Sequence, residues 1–187
     1  MKILIDNGHG RETKGKMSPC GSFREWEWTR MFARALMQRL QADGADVSLL
    51  VHEDSDVSLA ERIRRANAFG RDALLLSIHN NAAGDGSMWH RASGFSAFVA
   101  PRASPLSRSI AAALTRAAAA AGLAGNRATP PQGYWTASLA ICRDSLCPAV
   151  LTENLFMDNR ADLALLQSDS GVKRLLDIHL QALVPWI

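Results

Sequence analysis

Two histidines and a glutamate stand at the ends of apolar runs that lie far apart in the chain. His9 follows Ile3-Leu4-Ile5, His79 follows the run from Leu74 to Ile78, and Glu153 follows Val150-Leu151-Thr152. In α/β sheets reactive groups collect just beyond the strand ends, where loops converge and the strands hold them rigid, so these three groups are expected in one site. Two imidazoles and a carboxylate form a common catalytic zinc set, three protein ligands that leave a fourth position for water. Glu12, Glu25 and Glu27 are the acids near His9, and Glu25 sits where a loop meets the start of a helix, which would hold a ligand rigidly. His52, His90 and His179 lack the strand-end placement. His179 lies inside the last helical pattern and reads as a satisfied core or boundary histidine.

The elements that must position these groups follow from periodicity. Ile3 to Ile5 is a short buried strand emptying into Asn7-Gly8-His9-Gly10. Apolar residues at Trp28, Phe32, Leu36 and Leu40 form a helical stripe closed by Gly44, and Val47 to Val51 is the next strand. Ser58-Leu59-Ala60-Glu61 is a capping box opening a helix that runs to Gly70. Ala73 to Ile78 is continuously apolar, as in a sheet covered on both faces. Phe95 to Ala100 reads as a strand, Pro105 to Ala121 as a helix, and the Gly/Pro-rich stretch 122–133 as irregular. Ala149 to Thr152 is a further strand, followed by helices at 161–167 and 172–183. Strands alternating with helices predict an α/β three-layer sandwich, a mostly parallel mixed sheet of about six strands with helices on both faces. No linker, composition break or repeat divides the chain, so residues 1–187 are expected to form one catalytic domain.

Composition narrows the function. The 187 residues are 48% hydrophobic and 21% charged, which excludes a disordered tail, a collagen-like repeat and a coiled coil. A net charge of +3 mildly favours an anionic partner without requiring nucleic acid, and helical arginines such as Arg62, Arg64 and Arg65 read as solvated faces. Cys20, Cys142 and Cys147 form neither a disulfide framework nor a CxxC zinc site, and are expected in structural roles. The apolar start at Met1 to Ile5 is too short for a signal sequence and no stretch approaches a membrane span, so membrane insertion is not expected.

Taken in order, Ile5-Asp6-Asn7-Gly8-His9-Gly10, then Arg24-Glu25, then Ser77-Ile78-His79-Asn80-Asn81, then Pro148 to Asn154 resemble the four motifs of the zinc-dependent N-acetylmuramoyl-L-alanine amidases of the amidase 3 type, bacterial cell-wall hydrolases and phage endolysins. Leu59-Ala60-Glu61-Arg62 with Arg65-Ala66-Asn67 also resembles that family's helix between the second and third motifs. The resemblance makes His9, Glu25 and His79 the ligands of Zn2+ and Glu153 the catalytic carboxylate, and it selects Glu25 over Glu27. Asn7 stands where many members have a small residue and Asn80 where alanine is frequent; both could alter what surrounds the ligands.

The reaction implied is hydrolysis of the amide between N-acetylmuramic acid and L-alanine in peptidoglycan, with Glu153 as general base and then acid. Taken without the resemblance, Glu153 could instead cap the next helix. Trp89, Tyr134 and Trp135 are candidates for sugar contacts, each also a candidate for interior packing; Asn81 could orient substrate or a ligand, and Arg143 could meet a peptide carboxylate. The partner expected is peptidoglycan or its muropeptides, with no nucleic acid and a monomeric chain. The absence of a visible signal looks like a phage endolysin, made in the cytoplasm, released through a holin and acting on the cell wall; a bacterial enzyme lacking its signal is the competing origin. A zinc carboxypeptidase or other peptide amidase, and a catalytically silent wall-binding module, are the rival functions.

Overall fold

The computed structural model describes residues 1–187. Six strands form one sheet: β1 (Lys2–Asn7), β2 (Val47–Leu49), β3 (Ala73–Asn81), β4 (Ser96–Val99), β5 (Trp135–Thr136) and β6 (Ala149–Phe156), in the order β2-β1-β3-β6-β4-β5. β2, β1, β3 and β6 run parallel, and β4 with β5 runs against them.

Side chains alternate across the strands, so the apolar runs bury both faces. Ile3, Ile5, Leu74, Leu76, Ile78 and Val150 face a large core completed by α1 (Glu25–Ala42), α3 (Pro105–Ala120), α5 (Arg160–Leu166) and α6 (Asp169–Leu183). Leu4, Leu75 and Leu151 face a smaller core closed by Ala66 of α2 (Leu59–Asn67) and by Ile141 and Cys142 of α4 (Ala140–Arg143). Phe32, fully buried in the larger core, is the kind of side chain whose truncation to alanine costs about 3–5 kcal/mol. None of the helices is long and apolar enough to cross a membrane.

Local signals set the boundaries. Ser58 accepts the Glu61 N–H and starts α2, as its capping box predicts, and Gly44 takes a positive φ just beyond α1. β3 and β6 run past their apolar cores, so His79 and Glu153 lie within strands rather than after them. Arg62 departs from expectation: it is 4% exposed, not solvated, while Arg64 lies in solvent. Its guanidinium pairs with Asp6 at 2.6 Å, because a carboxylate buried in the sheet needs a cation and hydrogen bonds to remain charged. Cys142 and Cys147 are buried and free, whereas Cys20 is exposed on the loop between β1 and α1, its Sγ within hydrogen-bond reach of the Ser18 and Ser22 hydroxyls.

Candidate metal centre

The chain turns sharply after β1. His9 adopts φ +61°, a left-handed conformation that costs a residue with a Cβ on the order of 1 kcal/mol. Two buried arginines hold it there. Arg62 donates to the carbonyls of Asn7 and His9, and Arg30 of α1 donates to the His9 carbonyl at 3.0 Å. Thr29 Oγ1 donates to the Gly8 carbonyl, which ties the same turn to α1. A Cβ on Gly8 would collide with the His79 ring, so only glycine allows the two histidines to approach. Their rings meet edge to face with centroids 4.8 Å apart.

Glu25 is the first residue of α1, 1% exposed, and its Oε1 reaches both rings: 3.0 Å from His79 Nδ1 and 3.4 Å from His9 Nε2. The backbone N–H of Asn80 also donates to this oxygen at 3.0 Å. Burial alone would raise the Glu25 pKa, but the hydrogen bonds and charges of His79 and His9 outweigh it and hold the carboxyl well below its ordinary range. For His79, burial works against the charged form, yet the bond and charge of Glu25 keep its pKa raised.

One observation tests whether a cation fits here. Glu25 Oε2 is buried and has no hydrogen-bond partner. An orphaned carboxylate oxygen is costly, and a cation held jointly with the two imidazoles satisfies it. The ligand atoms of His9, Glu25 and His79 all lie within 4.8 Å of one another. Two imidazole nitrogens and one carboxylate oxygen form a donor set suited to zinc. The other acids near His9 do not join: Glu27 faces solvent, and Glu12 accepts the Asp56 N–H on an exposed loop.

Glu153 is the direct neighbour of His79 across the β3–β6 ladder. A bulge follows immediately on β6, where Leu155 takes φ +66°, a device that re-aims side chains beside many active sites. Glu153 caps no helix; Asn159 caps α5 instead. Burial, with the Glu25 charge adding to it, pushes the Glu153 carboxyl up to about 7 against the opposing charges of His79, Lys16 and Arg127. A cleft of about 310 Å³ opens beside His9 and His79, bounded also by Leu151, Val57, Leu59 and Ile141.

The other candidates sort clearly. His179 is fully buried, with Nδ1 bonded to the Leu175 carbonyl and Nε2 facing Thr152 Oγ1, as expected of a satisfied core histidine. His52 is exposed, and His90 sits on the loop that Asp158 ties down. Asn81 accepts the N–H of Ala82 and joins neither ligand nor cleft. Trp89 and Tyr134 pack on the larger core, and Arg160 covers the Trp89 ring. Arg143 pairs with Asp144 and lines a cavity at the far end of the sheet, which removes it from the site. Sequence reasoning missed Asn80 as the donor to Glu25 and Arg30, Arg62 and Thr29 as the braces of His9. The signal for Arg62 was Asp6, a charge inside an apolar strand that demanded a buried cation.

The model of the N-acetylmuramoyl-L-alanine amidase family matches residues 3–184. The amidase CwlM of Bacillus licheniformis is 30% identical over 185 residues, covering 98% of this chain and 67% of that protein. The endolysin of Bacillus phage SPP1 is 28% identical over 183 residues, covering 97% of this chain and 64% of that protein. The chain thus spans about two thirds of the length of these relatives. Among solved structures, the amidase of Clostridium difficile 630 superposes with a TM-score of 0.83 at 23% identity over 99% of this chain and 95% of the other. Ami1 of Mycobacterium smegmatis gives 0.85 at 19% identity over the same shares, and both likenesses speak to the fold. With its ordered motifs folded into one His-Glu-His cluster and the family model matched from end to end, the chain belongs to the N-acetylmuramoyl-L-alanine amidase family.

Proposed function

We propose that the chain hydrolyses the amide joining the lactyl group of N-acetylmuramic acid to L-alanine in peptidoglycan, with Zn2+ held by His9, Glu25 and His79 and with Glu153 moving the proton. The observation that carries this reading is the buried Glu25 carboxylate, shared between two histidines and still short of a partner. When bound, the cation supplies positive charge that lowers the pKa of water toward roughly 7 and polarises the scissile carbonyl.

The protein's own residues do the rest. Glu25 stays ionised and fixes both rings; the Asn80 N–H and the braced His9 turn keep that geometry rigid before substrate arrives. Glu153, whose carboxyl burial pushes up to about 7, accepts a proton from the attacking water and gives it to the leaving alanine nitrogen. The cleft beside His9 and His79 holds the scissile amide, with Val57, Leu59 and Leu151 among its walls.

Residues 1–187 act in this reading as one catalytic unit at the cell wall, and release through a holin is the route of a phage lysin. Digestion of purified muropeptides followed by mass spectrometry tests the function. Free N-acetylmuramic acid ends and new alanine amino groups are expected, without new reducing sugar ends. Release of a free amino acid instead would make the chain a peptidase. Metal analysis after dialysis should find about one zinc per chain, lost together with turnover in His79→Ala and on chelation. Active protein with less than a fifth of an equivalent would overturn the zinc assignment.

A further inference from the structure

Two strands from Glu153 the sheet carries a cation that pairs with no carboxylate. The ladder sets Leu151 of β6 opposite Phe98 of β4, and Phe98 opposite Trp135 of β5. These three residues therefore share the face that, two positions further along β6, carries Glu153. The rings of Phe98 and Trp135 lie 6.0 Å apart, and the Arg127 guanidinium sits over the Trp135 ring, 5.4 Å from its centroid. Arg62, Arg64, Arg65 and Arg143 each pair with a carboxylate, whereas exposed Arg127 pairs with none.

This arrangement has a chemical preference. The guanidinium covers the ring, so Trp135 does not offer an open aromatic face to an uncharged sugar. It offers a planar fork of donors, held in place by the ring beneath, and that is the group best matched to a carboxylate. Trp135, with the Arg127 guanidinium over its ring, thus stands on the sheet face that carries Glu153, two strands away across β4.

We propose that Arg127, seated on Trp135, is a specificity-determining residue that recognises a free carboxylate on the leaving peptide, on the acidic residue that follows L-alanine in the stem. This rests on the amidase reading above. That acidic residue occurs in peptidoglycan either with its carboxyl free or as the amide, so the chain should favour walls of the first kind.

The test uses two muropeptides that differ only in that carboxylate or carboxamide, and four proteins: the parent, Arg127→Gln, Arg127→Lys and Arg102→Gln. The parent should show kcat/KM higher on the free acid by on the order of tenfold, carried mainly by KM, the size of one charge-assisted hydrogen bond. Arg127→Gln should cut both peptides equally well. Arg127→Lys, which keeps the charge but not the fork, should recover part of the preference. Arg102 lies at the opposite end of the sheet and its variant should keep the parent's full preference. A parent without preference, or a preference that survives in Arg127→Gln, overturns the proposal. A parent that cleaves neither peptide between sugar and alanine overturns the amidase reading itself, and the two failures are told apart by that cut.

Discussion

His79 and Glu153 are paired residues on adjacent parallel strands, so two groups separated by more than seventy positions in sequence are neighbours by backbone register alone. Any shift of β6 along β3 by one residue would turn Glu153 to the other face. Asn154 guards the alignment: its Nδ2 donates to the His79 carbonyl at 3.1 Å, while Asn80 Nδ2 returns a bond to the Asn154 carbonyl at 2.8 Å.

Glu153→Gln should therefore separate binding from chemistry. The amide keeps the shape but cannot accept a proton from water, and the three residues around the cation position are untouched. Zinc content should stay at the parent level while kcat falls on the order of a thousandfold. Stability should match or exceed that of the parent, because a carboxylate that burial pushes up to about 7 is replaced by an uncharged group. Zinc loss would make Glu153 a ligand, and near-normal turnover would remove it from the mechanism.

Gly8→Ala tests the contact between the first histidine turn and the second histidine. The added methyl collides with the His79 ring, which must rotate away from Glu25. The fold should survive, since Gly8 lies at the strand end, but zinc affinity should fall by roughly ten- to a hundredfold, as for other changes that misorient a ligand. A competition titration with a zinc chelator measures it. Unchanged affinity would show that His79 has room the geometry denies.

Arg62→Leu removes the cation from Asp6 and two donors from the His9 turn. Breaking a buried pair from one side costs about 3–5 kcal/mol, which for a chain of this size lowers the melting temperature by roughly 10 °C. Adding Asp6→Asn should restore part of that loss, because the stranded charge is gone. It should not restore zinc affinity, which depends on Arg62 holding the His9 carbonyl at 2.8 Å. Additive losses in the double variant would show that the two groups are not coupled.

Much of the fold was legible because it rests on local rules. The apolar runs at Ile3 to Ile5 and Leu74 to Ile78, the Ser58 capping box and the Gly44 terminus each declare themselves within a few residues. β5 and α4 escaped because two and four residues are too short to show a period. The reversed direction of β4 is set by long-range pairing with β6, which leaves no local mark. In the site, the expectation that loops supply the reactive groups holds for His9 alone. His79 and Glu153 sit inside strands whose ends are polar on the open face, so hydropathy places the strand ends too early. Arg62 was misread because a charge on a helix looks solvated until its partner, here Asp6, is found on another element.

His179 gives a pH dependence that leaves the metal centre out of the comparison. Its ring is fully buried, donates from Nδ1 to the Leu175 carbonyl, and lies edge-on to Phe32 and Phe95. Burial lowers its pKa to about 4, against about 6.5 in the unfolded chain. Between these values the unfolded state binds one more proton than the folded one, so stability is full above pH 6.5 and is lost as pH falls toward 4. The slope is about 1.4 kcal/mol per pH unit, or roughly 3 kcal/mol across the window. His179→Gln does not titrate. It should be less stable than the parent at pH 7 through lost packing, and the gap should narrow steadily as pH drops to 4.5. Urea unfolding of both proteins at matched pH values measures the gap, and effects of His9, His79 and Glu153 cancel because they are common to both. The variant should also keep its zinc and its turnover, since the ring faces the core and not the cleft. A gap that stays constant with pH would show that His179 is already charged, or already solvated, in the folded protein.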